Sequence, residues 1–160
     1  PSRWFHSNRR TGDFAMTIFT IGSSGKGLRK FAELLLDANV DCVIDIRLHN
    51  TSQLAGYAKQ DDLEFVLELL KIAYEHHIEL APDLELFEAY RKSKNWDNYA
   101  AGYNELIIKR DMLSVGKGIL SRYKRPCLLC SEDAPSRCHR ILLAEYLAKN
   151  IPGLEVKHLR

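Results

Sequence analysis

The sequence predicts a three-layer α/β fold, with a mostly parallel sheet of about five strands flanked by helices. Three observations carry this. Short apolar, β-branched runs of strand length recur along the chain, as at Ile18-Phe19-Thr20-Ile21 and Cys42-Val43-Ile44-Asp45-Ile46. Between them lie stretches whose apolar residues return at helical spacing. The composition is that of an ordinary globular protein, with 46% of 160 residues hydrophobic and 28% charged, which excludes collagen, coiled coil and wholesale disorder. No apolar run approaches bilayer-spanning length, so no membrane partner is expected. Four cysteines are too few for a disulfide scaffold.

Residues 1–15 hold Trp4, Phe5 and Phe14 without periodicity and are expected to be a tag or mis-called N-terminal extension, leaving residues 16–160 as a single α/β domain. The formal charge of +2 belongs to that leading segment. Without its three arginines and one aspartate, the rest of the chain has as many acidic as basic residues. Net charge therefore gives no general attraction to nucleic acid.

The first strand, Ile18 to Ile21, runs into the turn Gly22-Ser23-Ser24-Gly25-Lys26-Gly27. A helix follows, with Leu28, Phe31, Leu34, Leu35 and Ala38 on one face and Asn39 ending it. Cys42 to Ile46 is a buried strand ending at Arg47, and Leu48 to Gln60 has turn composition. Asp61 with Glu64 forms a capping-box pattern, and Leu63, Val66, Leu67, Leu70, Ala73 and Tyr74 trace a helical stripe. Ile78-Glu79-Leu80 reads as a third strand stopped by Pro82. Helices are expected over Leu84–Arg91 and from about Asn95 or Asp97 to Met112, with Gly116-Lys117-Gly118 as an interruption. Pro126 to Cys130 is a fourth strand. Asp133 and Ser136 are N-cap candidates for a helix reaching Lys149, and Leu154 to Leu159 is a fifth strand.

Ligands of such sheets sit beyond the carboxyl ends of the strands. That rule selects the Gly22–Gly27 turn, the Asp45–Arg47 exit and the Cys130–Arg140 loop. The third is the densest, with Cys130, Glu132, Asp133, Arg137, Cys138, His139 and Arg140 within eleven residues. A helix N-terminus would favour thiolate at Cys138 and, with Arg137 and Arg140, bind an anion. The plainer reading is that both cysteines are small buried hydrophobes and Arg140 pairs with a carboxylate such as Asp45. Cys127, Cys130, Cys138 and His139 have zinc-ligand chemistry. However, Cys127 and Cys130 lie three apart on one strand and face opposite sides of the sheet, so no metal centre is expected. The glycine turn is neither a dinucleotide fingerprint nor a P-loop, although its amides could hold phosphate. Asp45 and Arg47 share a strand face and could form a buried pair.

Thr20-Ile21-Gly22 with its following Ser-Gly, Val43-Ile44-Asp45-Ile46-Arg47, Leu128-Leu129-Cys130-Ser-Glu132 and Cys138-His139-Arg140 resemble the family called domain of unknown function 488. Asn50 to Tyr57 resembles one branch of it, and the likeness spans Met16 to Leu159. Many members carry a proline two or three residues after the arginine, where Leu48-His49-Asn50 stands here. The resemblance implies a compact cytoplasmic α/β protein and names no activity. It highlights Asp45, Arg47, Cys130, Glu132, Cys138, His139 and Arg140. A weaker likeness is to rhodanese-like and Cys-phosphatase folds. Against it, Cys130 and Arg137 enclose six residues, and acidic Glu132 and Asp133 would raise a neighbouring thiol's pKa.

These observations predict a polar cleft for a small anionic or nucleotide-like ligand. Arg47 and Arg140 hold the charge, with Gly22 and Ser23 in the same anion site. Glu132 and His139 are the acid/base candidates, Cys130 or Cys138 the nucleophile, and Asp45 a pairing partner. No cofactor is expected. The competing class is a non-enzymatic nucleic-acid or protein-binding module. It would use residues 91–125, where nine basic residues stand against three acidic ones.

Overall fold

The computed structural model of the chain describes residues 16–51 and 56–160. The expectation for residues 1–15, and the middle of the Asn50–Tyr57 resemblance, fall outside the described residues. The strands are β1 (Thr17–Gly22), β2 (Cys42–Asp45), β3 (Ala73–His76), β4 (Pro126–Cys130) and β5 (Glu155–His158). They form one sheet in the order β3-β2-β4-β1-β5, and every pairing is parallel. The helices are α1 (Leu28–Asp37), α2 (Gln60–Leu69), α3 (Leu84–Ser93), α4 (Trp96–Lys109), α5 (Met112–Arg122) and α6 (His139–Asn150). Among the described residues, no helix is long and apolar enough to cross a membrane.

The strand order and the handedness of parallel crossovers decide the layers. From β1 to β2 to β3 the chain steps toward one edge, and α1 and α2 cover one face. There Phe31, Leu35, Leu63 and Leu67 pack on Phe19, Ile21, Val43, Cys127 and Leu129. From β3 to β4 to β5 it steps back, and α4 to α6 cover the other face. There Tyr103, Ile107, Met112, Ile119, Leu143 and Leu147 pack on Ile18, Cys42, Ile44 and Leu128. Alternate residues of the central strands thus feed two cores, which is why β2 and β4 are apolar almost throughout. Each fully buried Leu or Ile contributes roughly 1.5–3 kcal/mol.

Several expected elements move. Ile78–Leu80 is a 3₁₀ turn, and the third strand is Ala73–His76. Lys71, at φ 60°, ends α2, and Ile72 N–H closes it on Leu67 O at 2.9 Å. The apparent helical stripe through Ala73 and Tyr74 therefore belongs to an edge strand. Lys59, without a side-chain cap, starts α2 in place of the Asp61–Glu64 box. Met112 opens α5 rather than closing α4, because Asp111 at φ 47° breaks the path and caps α5 through Ser114. Gly116 and Gly118 lie inside that helix, where a Cβ on Gly116 would run into the Leu147 side chain. Asp133 and Ser136 cap nothing. Pro135–Arg137 is its own 3₁₀ turn, and extended Cys138 precedes α6.

The end of β1 approaches β4 so closely that a Cβ on Gly22 would strike the Glu132 carbonyl. That is a backbone collision a rotamer change cannot relieve. Gly22→Ala is expected to cost about 2 to 3 kcal/mol in urea unfolding. Gly27→Ser, where a side chain meets nothing within 4 Å at the start of α1, should hold or raise stability.

Candidate functional site

Strand register places three exits side by side, with Gly22 opposite Cys130 and Asp45 opposite Leu129. At the β2 exit, Asp45 and Arg47 form a buried two-pronged pair. Arg47 Nε donates to Oδ1 at 2.8 Å and NH2 to Oδ2 at 2.7 Å, while NH1 donates to Ala58 O at 2.8 Å. The Tyr74 hydroxyl donates to Oδ2 at 2.6 Å, and the Arg47 amide to Oδ1 at 3.1 Å. Burial opposes ionisation of Asp45, but these donors hold its carboxyl below the ordinary range. Arg140, the partner the plainer reading offered Asp45, is elsewhere.

Arg140 is 1% exposed and lashes down the loop after β4. NH1 donates to Glu132 O, NH2 to Asp133 O at 2.7 Å, and NH1 also reaches Cys138 Sγ at 3.8 Å. From the other side, Ser23 N–H donates to Cys130 O at 3.0 Å and Ser24 N–H to Ser131 O at 2.9 Å. Four successive carbonyls, from Cys130 to Asp133, are thus drawn out of the loop. Gly22 and Ser23, expected to bind an anion, are buried and lie against this loop. The Ser23 amide is engaged by it.

Cys130, Cys138 and His139 meet on the α6 side of the sheet. His139 Nε2 lies 2.8 Å from Ile46 O. A carbonyl only accepts, so Nε2 carries the proton and Nδ1 is left facing Cys130 Sγ at 3.7 Å. A hydrogen bond from the Cys138 thiol lowers the Cys130 pKa well below the ordinary value. Burial opposes this, and His139 and Arg140 reinforce it. Burial, with the neighbouring Cys130 sulfur, pushes Cys138 up. Burial also works against a charged His139, yet Cys130 beside it lifts its pKa. The expectation from the sequence is a thiolate at Cys138 and a raised pKa at Cys130, whereas these directions favour the thiolate at Cys130. Cys138 sits before the helix rather than in its first turns. Of the two acidic residues of the loop, Glu132 is exposed and Asp133 is paired to Lys26 Nζ at 2.5 Å.

Cys130, Cys138 and His139 open onto a cavity of about 450 Å³ that Glu132 and Arg47 also line, but not Arg140. Its wall includes residues that the sequence did not place in this cleft: His49, Phe87, Tyr90, Arg91 and Tyr99. Tyr90 and Tyr99 rings lie 4.7 Å apart, and Arg91 sits over Phe87 at 5.9 Å. The available signal was aromatic and basic residues interleaved on α3 and α4. Arg137 lines the cavity too and makes no hydrogen bond or ion pair among the described residues. Four basic residues of the segment 91–125 lie at different places on the fold. Arg91 faces this cavity, Lys124 and Arg125 precede β4 at the opposite end of the sheet, and Arg122 pairs with Glu75 at 2.7 Å.

The sequence profile of a family described as domain of unknown function DUF488 matches residues 27–147. No curated protein and no solved structure matches the chain.

Asp45→Asn leaves the Arg47 charge buried without its counterion and should cost about 3–5 kcal/mol in urea unfolding. The folded pKa of Asp45 lies below its unfolded value near 3.9. Its contribution is therefore present above about pH 4 and lost as pH falls through the folded pKa. In the variant, the acid limb of the stability profile should be correspondingly shallower.

Proposed function

The chain belongs to the DUF488 family, whose description names no activity, and we propose from the site's geometry that it is a cysteine-dependent enzyme acting on a small anionic substrate with an apolar or aromatic body. The observation that carries this is the Cys130–His139 pair, at 3.7 Å, with the imidazole tautomer set by Ile46 O. Cys130 is the nucleophile. His139 Nδ1 takes the Cys130 proton, the resulting thiolate forms a bond to the electrophilic centre, and the bond to the leaving group breaks as that same Nδ1–H protonates the departing atom. Cys138 stays a thiol and donates to the attacking sulfur. Glu132, exposed and lining the cavity, activates the water that releases the product.

Charge supports an anionic substrate. Arg47 is neutralised by Asp45, but Arg140 has no carboxylate partner among the described residues, and Arg91 and Arg137 face the cavity against Glu132 alone. The loop after β4, whose Glu132 and Asp133 carbonyls Arg140 holds, forms part of the cavity wall. Arg140 then acts by holding this loop rather than by gripping the ligand. Phe87, Tyr90 and Tyr99 suit a planar or apolar body. Four free, buried cysteines fit the reducing cytoplasmic setting we propose.

Alkylation tests the reading. Cys130 should react selectively, with a rate midpoint in pH well below the ordinary thiol value of about 8.5, while Cys42, pushed up to about 12 by burial, stays inert. Iodoacetate should gain at least about tenfold over iodoacetamide relative to free cysteine, and Arg137→Glu should erase that preference. His139→Gln keeps a donor for Ile46 O, removes Nδ1, and should raise the midpoint. Ordinary reactivity at Cys130, or no preference for the anionic reagent, would contradict the proposal.

A further inference from the structure

The same three side chains have the donor set of a metal centre. One ligand atom each of Cys130, Cys138 and His139 lies within 4.8 Å of the others, and all three residues are buried. A tetrahedral zinc with Zn–S near 2.3 Å and Zn–N near 2.05 Å requires a sulfur-to-nitrogen separation of about 3.6 Å. Cys130 Sγ and His139 Nδ1 stand 3.7 Å apart. The imidazole is already oriented for this, since Nε2–H is held by the Ile46 carbonyl, the kind of outer contact that fixes a ligating histidine. Arg140 NH1, at 3.8 Å from Cys138 Sγ, supplies an N–H to the second sulfur.

We propose that Cys130, Cys138 and His139 form a three-ligand site for a soft divalent cation such as Zn²⁺, with its fourth position open to the cavity. Two thiolates and an imidazole select zinc over magnesium or calcium, which take oxygen ligands. Three protein ligands with one open position are the arrangement of zinc sites that accept water or a small ligand. Cys127 has no part in it, since it packs in the opposite core. The objection raised from strand alternation holds for Cys127 and does not reach the other three. Occupancy engages the Cys130 sulfur, so bound zinc and a free Cys130 nucleophile are alternative states of one site, and zinc would block the chemistry proposed above.

The inference stands apart from that chemistry and is tested without substrate. Equilibrium dialysis of the full chain with Zn²⁺, against a competing chelator, should give one ion per chain. Cys130→Ser, Cys138→Ser and His139→Gln should each weaken binding by at least about 100-fold, and Cys127→Ser should leave it unchanged. Co²⁺ in place of Zn²⁺ should show sulfur-to-cobalt charge transfer whose amplitude falls by about half in each single Ser variant at either ligand cysteine. That readout counts thiolates even if a variant is less stable. Zinc should also suppress Cys130 alkylation, and chelator should restore it. Failure to retain one ion, loss of binding in Cys127→Ser, or full charge transfer in Cys138→Ser would overturn the site. Ordinary alkylation kinetics in excess chelator would instead remove the nucleophile reading and leave the metal site standing.

Discussion

The charge on Arg140 is the constraint around which the cleft is arranged. A guanidinium that is 1% exposed, with no carboxylate partner among the described residues and an Nε that finds no acceptor there, costs several kcal/mol to bury. Its NH1 and NH2 take the carbonyls of Glu132 and Asp133, which shapes the loop, but dipoles only partly replace water around a cation. A nearby negative charge would offset the rest. The Cys130 sulfur, beside Cys138 and His139, is the group placed to carry one. In the function proposed above, a thiolate at Cys130 and the buried arginine would stabilise each other.

Orientation reaches Cys130 by a second route, from β2. The Asp45–Arg47 pair fixes the chain on either side of Ile46, and the Ile46 amide is bonded to Leu129 O at 3.1 Å. That leaves the Ile46 carbonyl aimed at His139 Nε2 and so decides which imidazole nitrogen faces the sulfur. Asp45 thus reaches the site through three links without touching the cavity. Gly22 acts in a similar indirect way. Its missing side chain lets β1 close on the Glu132 carbonyl, and the adjoining Ser23 and Ser24 amides hold the carbonyls before it.

How much of this was legible in the sequence depended on burial. β1, β2 and β4 are central strands covered on both faces, so their composition alone announces them. β3 is an edge strand with a half-open face, and its Ala73 and Tyr74 happen to extend the helical spacing of α2. Only the left-handed turn at Lys71 separates the two, and no residue-type rule marks a lysine there. The glycines of α5 read as a break because close approach to Leu147 cannot be seen from one chain segment. At the site, the reactive residue types and their meeting at the strand exits were legible from topology. Their roles were not, because those depend on partners. Arg140 chose carbonyls over an anion or Asp45, Asp133 chose Lys26, and the cavity wall came from α3 and α4, some forty residues before the cysteine loop.

In the function proposed above, Cys130 is held as a thiolate by its buried neighbours. The ¹³Cβ chemical shift of Cys130, followed by NMR in the metal-free protein across pH, reads that state directly. A thiolate shift is expected at pH 7 that stays flat from about pH 6 to 9, with Cys138 remaining a thiol over the same range. A Cys130 shift that titrates near 8.5 like an ordinary cysteine, or a thiolate appearing at Cys138 instead, would contradict it.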